Sequence, residues 1–484
     1  MSTKIILRHP GDVQRLINDG VIRSGNSRFI VIIALAGIFM DAFDFTSIAF
    51  GLTYVQKEFA FSALELGLAS GVILIGALVG SLSGGVLMDR IGREKVFTAD
   101  LVMLIVATLA CALAPDPWTF IIARFLMGFA VGVDYPVALS FIAEYSDSRR
   151  KGSALNMYAP VWYVAVASTW LLLLGGYYVY GAFDLNIASL WRWIVGLGVV
   201  PAVVVLVLRR KYLTESASWL AQNADLHRAA EVIRKAYGVD AEVAPDAVLR
   251  VEKPDTIPAR RAFNVLWNTR YRMRTVLSLI VNFCQGLEYY AVGFSIGLVV
   301  EQVVGVSVLT GILGPLVFNA IFGVAGGLIA VLAAPKVGIR RLAIIGFVIT
   351  TSSVLLVGLL GRDLFPGAIA AACVCLGAFI FGHAVGPGTQ GVVIATMSYP
   401  TSIRGTGVGF IQLGNRLGGT LGLVVWPVLT AALGLNALFV LAVAPFIGLL
   451  ALLLIRWDPS SADVDDEDFE ARAAAGRDHE TETA

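Results

Sequence analysis

The sequence predicts an all-α membrane protein with twelve transmembrane helices in two six-helix halves. Three observations carry this. Of the 484 residues, 57% are hydrophobic and 15% charged, and mean hydropathy is +0.79. A soluble domain carries about 25% charged residues because its surface must be wetted, so the apolar excess here needs lipid as solvent. The apolar residues also gather into twelve runs, each near the roughly 20 residues that a helix needs to cross hydrocarbon. Finally, with the N-terminus inside, 31 of the 36 Lys and Arg fall in the tails and even-numbered loops, against three on the outer side. This asymmetry orients membrane proteins, and gaining or losing one span would invert every later loop and erase it.

In chain order, residues 1–28 form a cytoplasmic tail with Lys4, Arg8, Arg15, Arg23 and Arg28. The N-terminal half, 29–208, holds runs at roughly 29–54, 65–88, 96–114, 118–143, 153–179 and 191–208. Its inner loops carry Arg90, Arg93 and Lys95, then Arg149, Arg150 and Lys151. Residues 209–274 break the apolar pattern and form a cytoplasmic central loop. Within it, Ala224 to Tyr237 reads as a short amphipathic helix, because Leu226, Ala229, Ala230 and Ile233 keep helical spacing. The C-terminal half, 275–456, holds runs at roughly 275–300, 307–334, 342–360, 367–397, 406–432 and 435–455. Residues 457–484 contain ten acids and read as a solvated cytoplasmic tail. The 50 glycines suit helices that pack closely where no hydrophobic force joins them. Both termini are expected to be cytoplasmic and the protein to sit in the plasma (inner) membrane.

A net charge of +1 gives no case for a nucleic-acid partner. Cys111, Cys284, Cys373 and Cys375 all lie in apolar runs, without metal-ligand spacing or a disulfide framework. No nucleophile–base pair or cofactor motif points to an enzyme. The first apolar run follows a charged tail, is longer than a signal-peptide core and carries two aspartates, so no cleaved signal is expected.

The halves repeat each other. Gly84-Gly-Val-Leu-Met-Asp-Arg-Ile-Gly-Arg93 follows the second run, and Val331-Leu-Ala-Ala-Pro-Lys-Val-Gly-Ile-Arg-Arg341 follows the eighth. Glu144-Tyr-Ser-Asp-Ser-Arg-Arg-Lys-Gly152 after the fourth is echoed by Tyr399-Pro-Thr-Ser-Ile-Arg-Gly405 after the tenth. Transporters built from parallel repeats show such duplication, with the substrate held near the midplane between halves.

Six ionisable residues lie deep in the runs: Asp41, Asp44, Arg124, Asp134, Glu288 and Arg416. Each costs about 2.5–3.5 kcal/mol to insert at the bilayer centre, so they must line a cavity or pair. Asp41 and Asp44, three apart, share one helix face; two acids so close cannot both ionise cheaply, which suits proton exchange. Asp134 reads as a further proton carrier or as a partner of Arg124, which is itself a candidate for contact with substrate. Asn282, Gln285, Glu288 and Tyr289 make a polar and aromatic cluster suited to a pocket. Arg416 cannot lose its charge and needs an anion from protein or substrate. Gly414, Gly418 and Gly419 beside it are expected to leave room for a ligand, with Asn415 adjacent, and His383 is a weaker candidate of the same kind.

The loop Gly84–Arg93 resembles the loop 2–3 signature of the major facilitator superfamily. Arg124-Phe-Leu-Met-Gly128, continuing to Gly132 and Glu144, resembles the span-four signature of its proton-coupled branches, and Thr214-Glu-Ser-Ala-Ser-Trp-Leu220 resembles the segment that follows span six in its sugar and organic-acid porters. Asp41-Ala-Phe-Asp44 is similar to the paired aspartates of aromatic-acid and other carboxylate:proton symporters, and Gly132-Val-Asp-Tyr-Pro136 is similar to the phosphate:proton symporters. The resemblance implies alternating access, with Asp89, Arg90, Arg93 and Glu144 latching the halves at the cytoplasmic side. The expectation is a proton-coupled symporter of a small organic anion, acting as a monomer in the lipid bilayer, with no metal or other cofactor. A sugar, polyol or inorganic phosphate substrate is the alternative.

Overall fold

In hydrocarbon a helix satisfies its backbone N–H and C=O groups within its own segment, so the apolar runs fold as helices. The computed structural model describes residues 5–461 and 464, apart from 20, 22–26, 50, 147, 213, 224–225, 248–258, 294–295, 297–299, 301–307, 363–365 and 402. The first part of the chain forms β1 (Ile5–Leu7), α1 (Pro10–Asn18), α2 (Ser27–Ser47), α3 (Leu52–Glu58), α4 (Ala63–Ile91), α5 (Arg93–Ala112), α6 (Pro117–Glu144), α7 (Ser148–Asn156), α8 (Tyr158–Ala182), α9 (Leu190–Leu197) and α10 (Val199–Tyr212). Then come α11 (Ala217–Asn223), α12 (Leu226–Val232), β2 (Ala241–Val243) and α13 (Ala259–Leu266). The second half forms α14 (Arg272–Glu288), α15 (Val308–Val317), α16 (Val324–Val337), α17 (Ile339–Leu360), α18 (Ala368–Val385), α19 (Pro387–Met397), α20 (Arg404–Leu433), α21 (Ala437–Leu441) and α22 (Val443–Leu454).

Ten stretches among the described residues are long and apolar enough to cross a membrane. The last, Arg404–Leu454, contains two spans that turn at Gly434, and α14 with its π turn Tyr289–Gly293 supplies the seventh. The fold is therefore one of twelve transmembrane helices. Several are broken near mid-span: at Gly198 between α9 and α10, at Gly386 between α18 and α19, and by the π turn Phe318–Gly323 between α15 and α16. The outward faces carry exposed Ile, Leu and Val, and Trp118, Phe183 and Trp193 stand exposed at span ends, where amphipathic rings favour the membrane–water interface.

Small residues set the tightest helix contacts. A Cβ on Gly128 or Gly132 of α6 would lie within 1.9 Å of Ile73 O or 2.2 Å of Ala77 O on α4. The C-terminal half repeats this, where a Cβ on Gly418 of α20 would meet Phe283 O of α14 at 2.1 Å. Such backbone approach replaces the hydrophobic force that lipid does not supply. Replacing Gly128 with Leu is expected to push α4 and α6 apart and destabilise the fold by about 1–3 kcal/mol, the usual range for overpacking. A thermal melt in detergent that matches wild type would contradict this close contact.

The internal repeat is visible in the backbone. Gly92 after α4 has φ +104° and Gly338 after α16 has φ +92°, in the two short basic loops that match in sequence. Both open the next helix from a conformation that only glycine adopts readily.

The first and last described segments lie at the same end of the helical bundle, here called the terminal face. The expected simple tail is instead tied down there: β1 pairs in parallel with β2, with Ile6 opposite Glu242, and Ala244 N donates to Leu7 O. Behind this strand Val13 and Ile17 of α1 are buried, and Asn18 accepts from Lys151 of α7. The amphipathic helix of the central loop is α12 with a π turn to Tyr237, and Leu226, Ala229, Ala230 and Ile233 face inward. Trp457 returns to donate to Ser398. Most of the acidic C-terminal tail, 465–484, lies outside the described residues. The boundary between the first half and the central loop needs one correction. Helix α10 runs on to Tyr212, so Arg209, counted above among loop charges, is buried inside the helical bundle.

Candidate functional site

A narrow cavity of about 30 Å³, room for about two waters, lies between the halves. The first half supplies Tyr135 of α6 and Tyr158, Trp162 and Tyr163 of α8; the second supplies Gln285 of α14, Tyr289 and Tyr290 of its π turn, His383 of α18, Thr389 of α19, and Asn415 and Arg416 of α20. Of the residues expected to bind substrate, Arg416, Gln285, Tyr289, Asn415 and His383 line this cavity.

Hydrogen bonds across the cavity join the halves. Tyr163 Oη lies 3.0 Å from His383 Nδ1, and His383 Nε2 lies 3.1 Å from Gln285 Oε1. Because the amide oxygen only accepts, His383 donates from Nε2, and in the neutral ring Nδ1 then accepts a hydrogen bond from Tyr163 Oη. Its ring stacks on Tyr289 at 4.6 Å, and Tyr289 Oη accepts from Trp162 Nε1 at 3.1 Å. Below this layer Gln390 donates to Asn156 of α7 at 2.8 Å.

Arg416 is 2% exposed and reaches across to the first half. Its guanidinium lies over Phe45 at 5.1 Å and Tyr135 at 5.6 Å. Nη1 donates to Tyr290 Oη at 3.2 Å, and Nε has no hydrogen-bond partner. Among the described residues Arg416 has no ion-pair partner, although Asp41 lies within its electrostatic reach. The glycines beside it do not leave room for a ligand as expected. Gly414 and Gly418 press on the α14 backbone and Gly419 on the Tyr290 ring, so they admit a neighbouring helix instead.

Three residues expected at the substrate do not line the cavity. Glu288 is fully buried and faces Thr350 of α17, because each residue turns a helix by about 100° and Tyr289 already holds the cavity face. Asn282 is a tie: its Nδ2 donates to Ser278 O and to Gly391 O at 3.0 Å, and its Oδ1 steadies Gln285. Arg124 is buried near Cys111 and Asp44, with Nε and Nη1 unpartnered.

The acids of α2 sit inside the first half. Asp44 and Asp41 are 2% and 1% exposed; Asp44 Oδ1 and both Asp41 oxygens have no hydrogen-bond partner. Asp44 faces Gly198, where α9 breaks from α10, and lies within electrostatic reach of Arg124. Asp134 is not the partner of Arg124. It pairs with Arg209 at 2.6 Å, because α10 carries that arginine to the same depth as α6 carries Asp134.

At the terminal face an acid–base cluster bridges the halves. Arg93 lies 3.0 Å from Glu144 and 3.4 Å from Asp89, and donates to Thr401 O at 3.1 Å. Asp89 Oδ2 accepts from Thr406 N at 2.8 Å and Thr406 Oγ1 at 2.9 Å, at the start of α20. Arg404 approaches Glu144 at 3.7 Å. Glu215 caps α5 from outside by accepting from Arg93 N at 2.9 Å, and Trp219 Nε1 donates to Asp89 O. Arg90 is exposed and takes no part in the cluster. The sequence alone assigned no role to Thr401, Arg404, Thr406, Glu215 or Trp219; the available signals were the second copy of the repeated loop, Tyr399–Gly405, for the first three and the segment Thr214–Leu220 for the last two.

Asp89→Ala removes two charge-assisted bonds between halves, each worth about 1.5–3 kcal/mol. The expected result is a transport rate lowered roughly tenfold, with substrate affinity in detergent changed only a few fold. A large affinity loss at unchanged rate would contradict a latch.

With this geometry in hand, the relatives are informative. The family described as "Sugar (and other) transporter" matches residues 29–457, nearly the whole helical bundle. The chain belongs to this transporter family. It is 27% identical over 439 residues to the niacin transporter NiaP of Acinetobacter baylyi, covering 87% of this chain and 91% of that one. It is 24% identical over 389 residues to the arabinose-proton symporter of Bacillus subtilis, covering 74% and 79%. Among solved structures, the major facilitator superfamily proton:xylose symporter XylE bound to 6-bromo-6-deoxy-D-glucose superposes with a TM-score of 0.74 at 17% identity, covering 93% of this chain and 98% of that chain. The transporter is thus a multi-pass membrane protein with the major facilitator fold.

Proposed function

We propose that this transporter carries a small organic anion together with protons, by alternating access at the cavity between its halves. The observation that carries the reading is Arg416: a buried, permanent cation at the substrate position with a free Nε and no ion-pair partner among the described residues. Its planar fork matches a carboxylate with two hydrogen bonds. Asp44, near Arg124 inside the first half, supplies the proton that offsets the charge of the anion. Aromatic walls favour a compact, flat substrate body. The tyrosine hydroxyls around the cavity are largely spent on one another, on Trp162, on His383 and on Arg416. A polyol entering here would leave several buried hydroxyls unmatched, each at about 1–3 kcal/mol.

On the charge asymmetry, both termini are cytoplasmic in the cell membrane, the terminal face is inside, and the latch there closes the cytoplasmic side. One copy contains the whole cavity, in keeping with a monomer. The arabinose-proton symporter and the XylE fold favour a second reading, a sugar porter in which Asp41 neutralises Arg416 internally. Uptake of radiolabelled carboxylates, phosphate and sugars by proteoliposomes under an imposed pH gradient separates the two. Gradient-driven accumulation of a carboxylate is expected; robust accumulation of a neutral sugar without any carboxylate uptake would overturn the anion reading.

A further inference from the structure

A second set of ionisable groups lies inside the first half, away from the cavity. Arg209 of α10 is 1% exposed. It donates to Asp134 of α6 at 2.6 Å and to Asp100 of α5 at 3.2 Å, bonds the Phe97 carbonyl, and lies 3.4 Å over the Phe97 ring. Asp100 Oδ2 and Asp134 Oδ2 find no donor. Each of the two carboxyl groups thus keeps one oxygen without a hydrogen bond beside the single guanidinium of Arg209. Helix α2 closes the remaining side: a Cβ on Gly37 would lie 2.6 Å from Arg209 Nη2 and 2.7 Å from Asp134 Oδ2. One turn further along α2 is Asp41, with both oxygens unpartnered, within electrostatic reach of Asp134, Asp100, Asp44 and, from the second half, Arg416.

Two buried aspartates thus share one arginine, with a third, Asp41, unpartnered close by, and leaving the excess negative charge unprotonated in a dry interior is costly. We infer that the Asp100–Asp134 pair, held by Arg209, is a second proton-binding site of the transporter, distinct from Asp44 and exchanging its proton with Asp41. This rests on the proton-coupled reading above. The exchange is balanced: the proton leaves one Asp41 oxygen for Asp134 Oδ2, Asp41 becomes a carboxylate, and the pair becomes a proton-sharing acid. Arg416 decides the direction. With the cavity empty, its charge favours Asp41 as the carboxylate, and the proton rests on the pair. When a substrate anion occupies Arg416, Asp41 loses that counter-charge and takes the proton back. Substrate and proton are thereby linked without the proton entering the substrate cavity.

The test uses the full-length protein. Difference infrared spectra across a pH titration are expected to show a protonated-carboxyl band that disappears in Asp100→Asn and in Asp134→Asn and persists, shifted, in Asp100→Glu. In proteoliposomes Asp100→Asn should accumulate substrate about tenfold less per unit of pH gradient for the proton lost, while substrate binding and equilibrium exchange stay within a few fold. Asp100→Glu should restore accumulation with a displaced pH midpoint. An Asp100→Asn variant with an unchanged carboxyl band and wild-type accumulation overturns the proposal and leaves a structural ion pair. Should the Asn variant not fold, an Asp100→Glu variant with an unchanged band and unchanged pH midpoint counts against it equally. A wild type without gradient-driven uptake defeats the coupling reading itself, and the infrared band then still decides whether the pair holds a proton.

Discussion

Asp44→Asn is expected to cut gradient-driven accumulation about tenfold per unit of pH gradient while substrate exchange at equal concentrations survives. The side chain is buried against the break between α9 and α10, with one oxygen unpartnered and Arg124 within electrostatic reach. Asn has nearly the same shape and still hydrogen-bonds, but it carries no exchangeable proton. A one-unit pH gradient is worth about 1.4 kcal/mol per proton, about tenfold accumulation, and this is the quantity the variant should lose. Exchange needs no net proton movement, so its survival shows that binding and the conformational cycle are intact. Unchanged accumulation in Asp44→Asn would remove this residue from the coupling mechanism.

The second large effect is expected at Arg416. Removing one member of a buried hydrogen-bonded charge pair costs about 2–5 kcal/mol, so Arg416→Gln should weaken binding of an anionic substrate by roughly two orders of magnitude or more. Arg416→Lys keeps the charge but not the planar fork or its stacking between Phe45 and Tyr135, and an intermediate loss is expected. Equilibrium binding to purified protein, followed through the fluorescence of Trp162 in the cavity wall, reads this directly. If Asp41 is instead the internal partner of Arg416, the double variant Arg416→Gln with Asp41→Asn should recover the transport lost in the single variant. Recovery there would argue for a neutral substrate.

The helical architecture was legible because lipid leaves the chain few choices. A long apolar run must close its own hydrogen bonds as a helix, and the basic loops then fix the order of the faces. The cavity was legible in part. Arg416, Gln285, Tyr289, Asn415 and His383 stood out as polar or aromatic groups in apolar surroundings. Trp162 and Tyr163 did not, because aromatic residues are also ordinary packing groups in a membrane helix. Arg209 was hidden for a different reason. It precedes Arg210 and Lys211, and three basic residues at the end of an apolar run look like any positively charged inner loop. Only the packing of α10 against α5 and α6 separates Arg209 from its neighbours and brings it to Asp100 and Asp134. Glycine was ambiguous in the same way: Gly414 and Gly418 are equally suited to a ligand and to a neighbouring helix, and the neighbour is α14. The β1–β2 pairing joins segments more than 230 residues apart through backbone bonds, which leave little mark on the side-chain pattern.

The central claim is that the anion and the proton move together in the same direction. Proteoliposomes loaded with a transported carboxylate and diluted into weakly buffered, substrate-free medium at zero membrane potential test it most directly, with protein-free vesicles correcting for passive leak of the acid. Outward flow of substrate is predicted to acidify the medium in proportion to the substrate released, and Asp44→Asn to lower the acid released per substrate. Substrate release with no pH change, or with alkalinisation of the medium, would contradict the account.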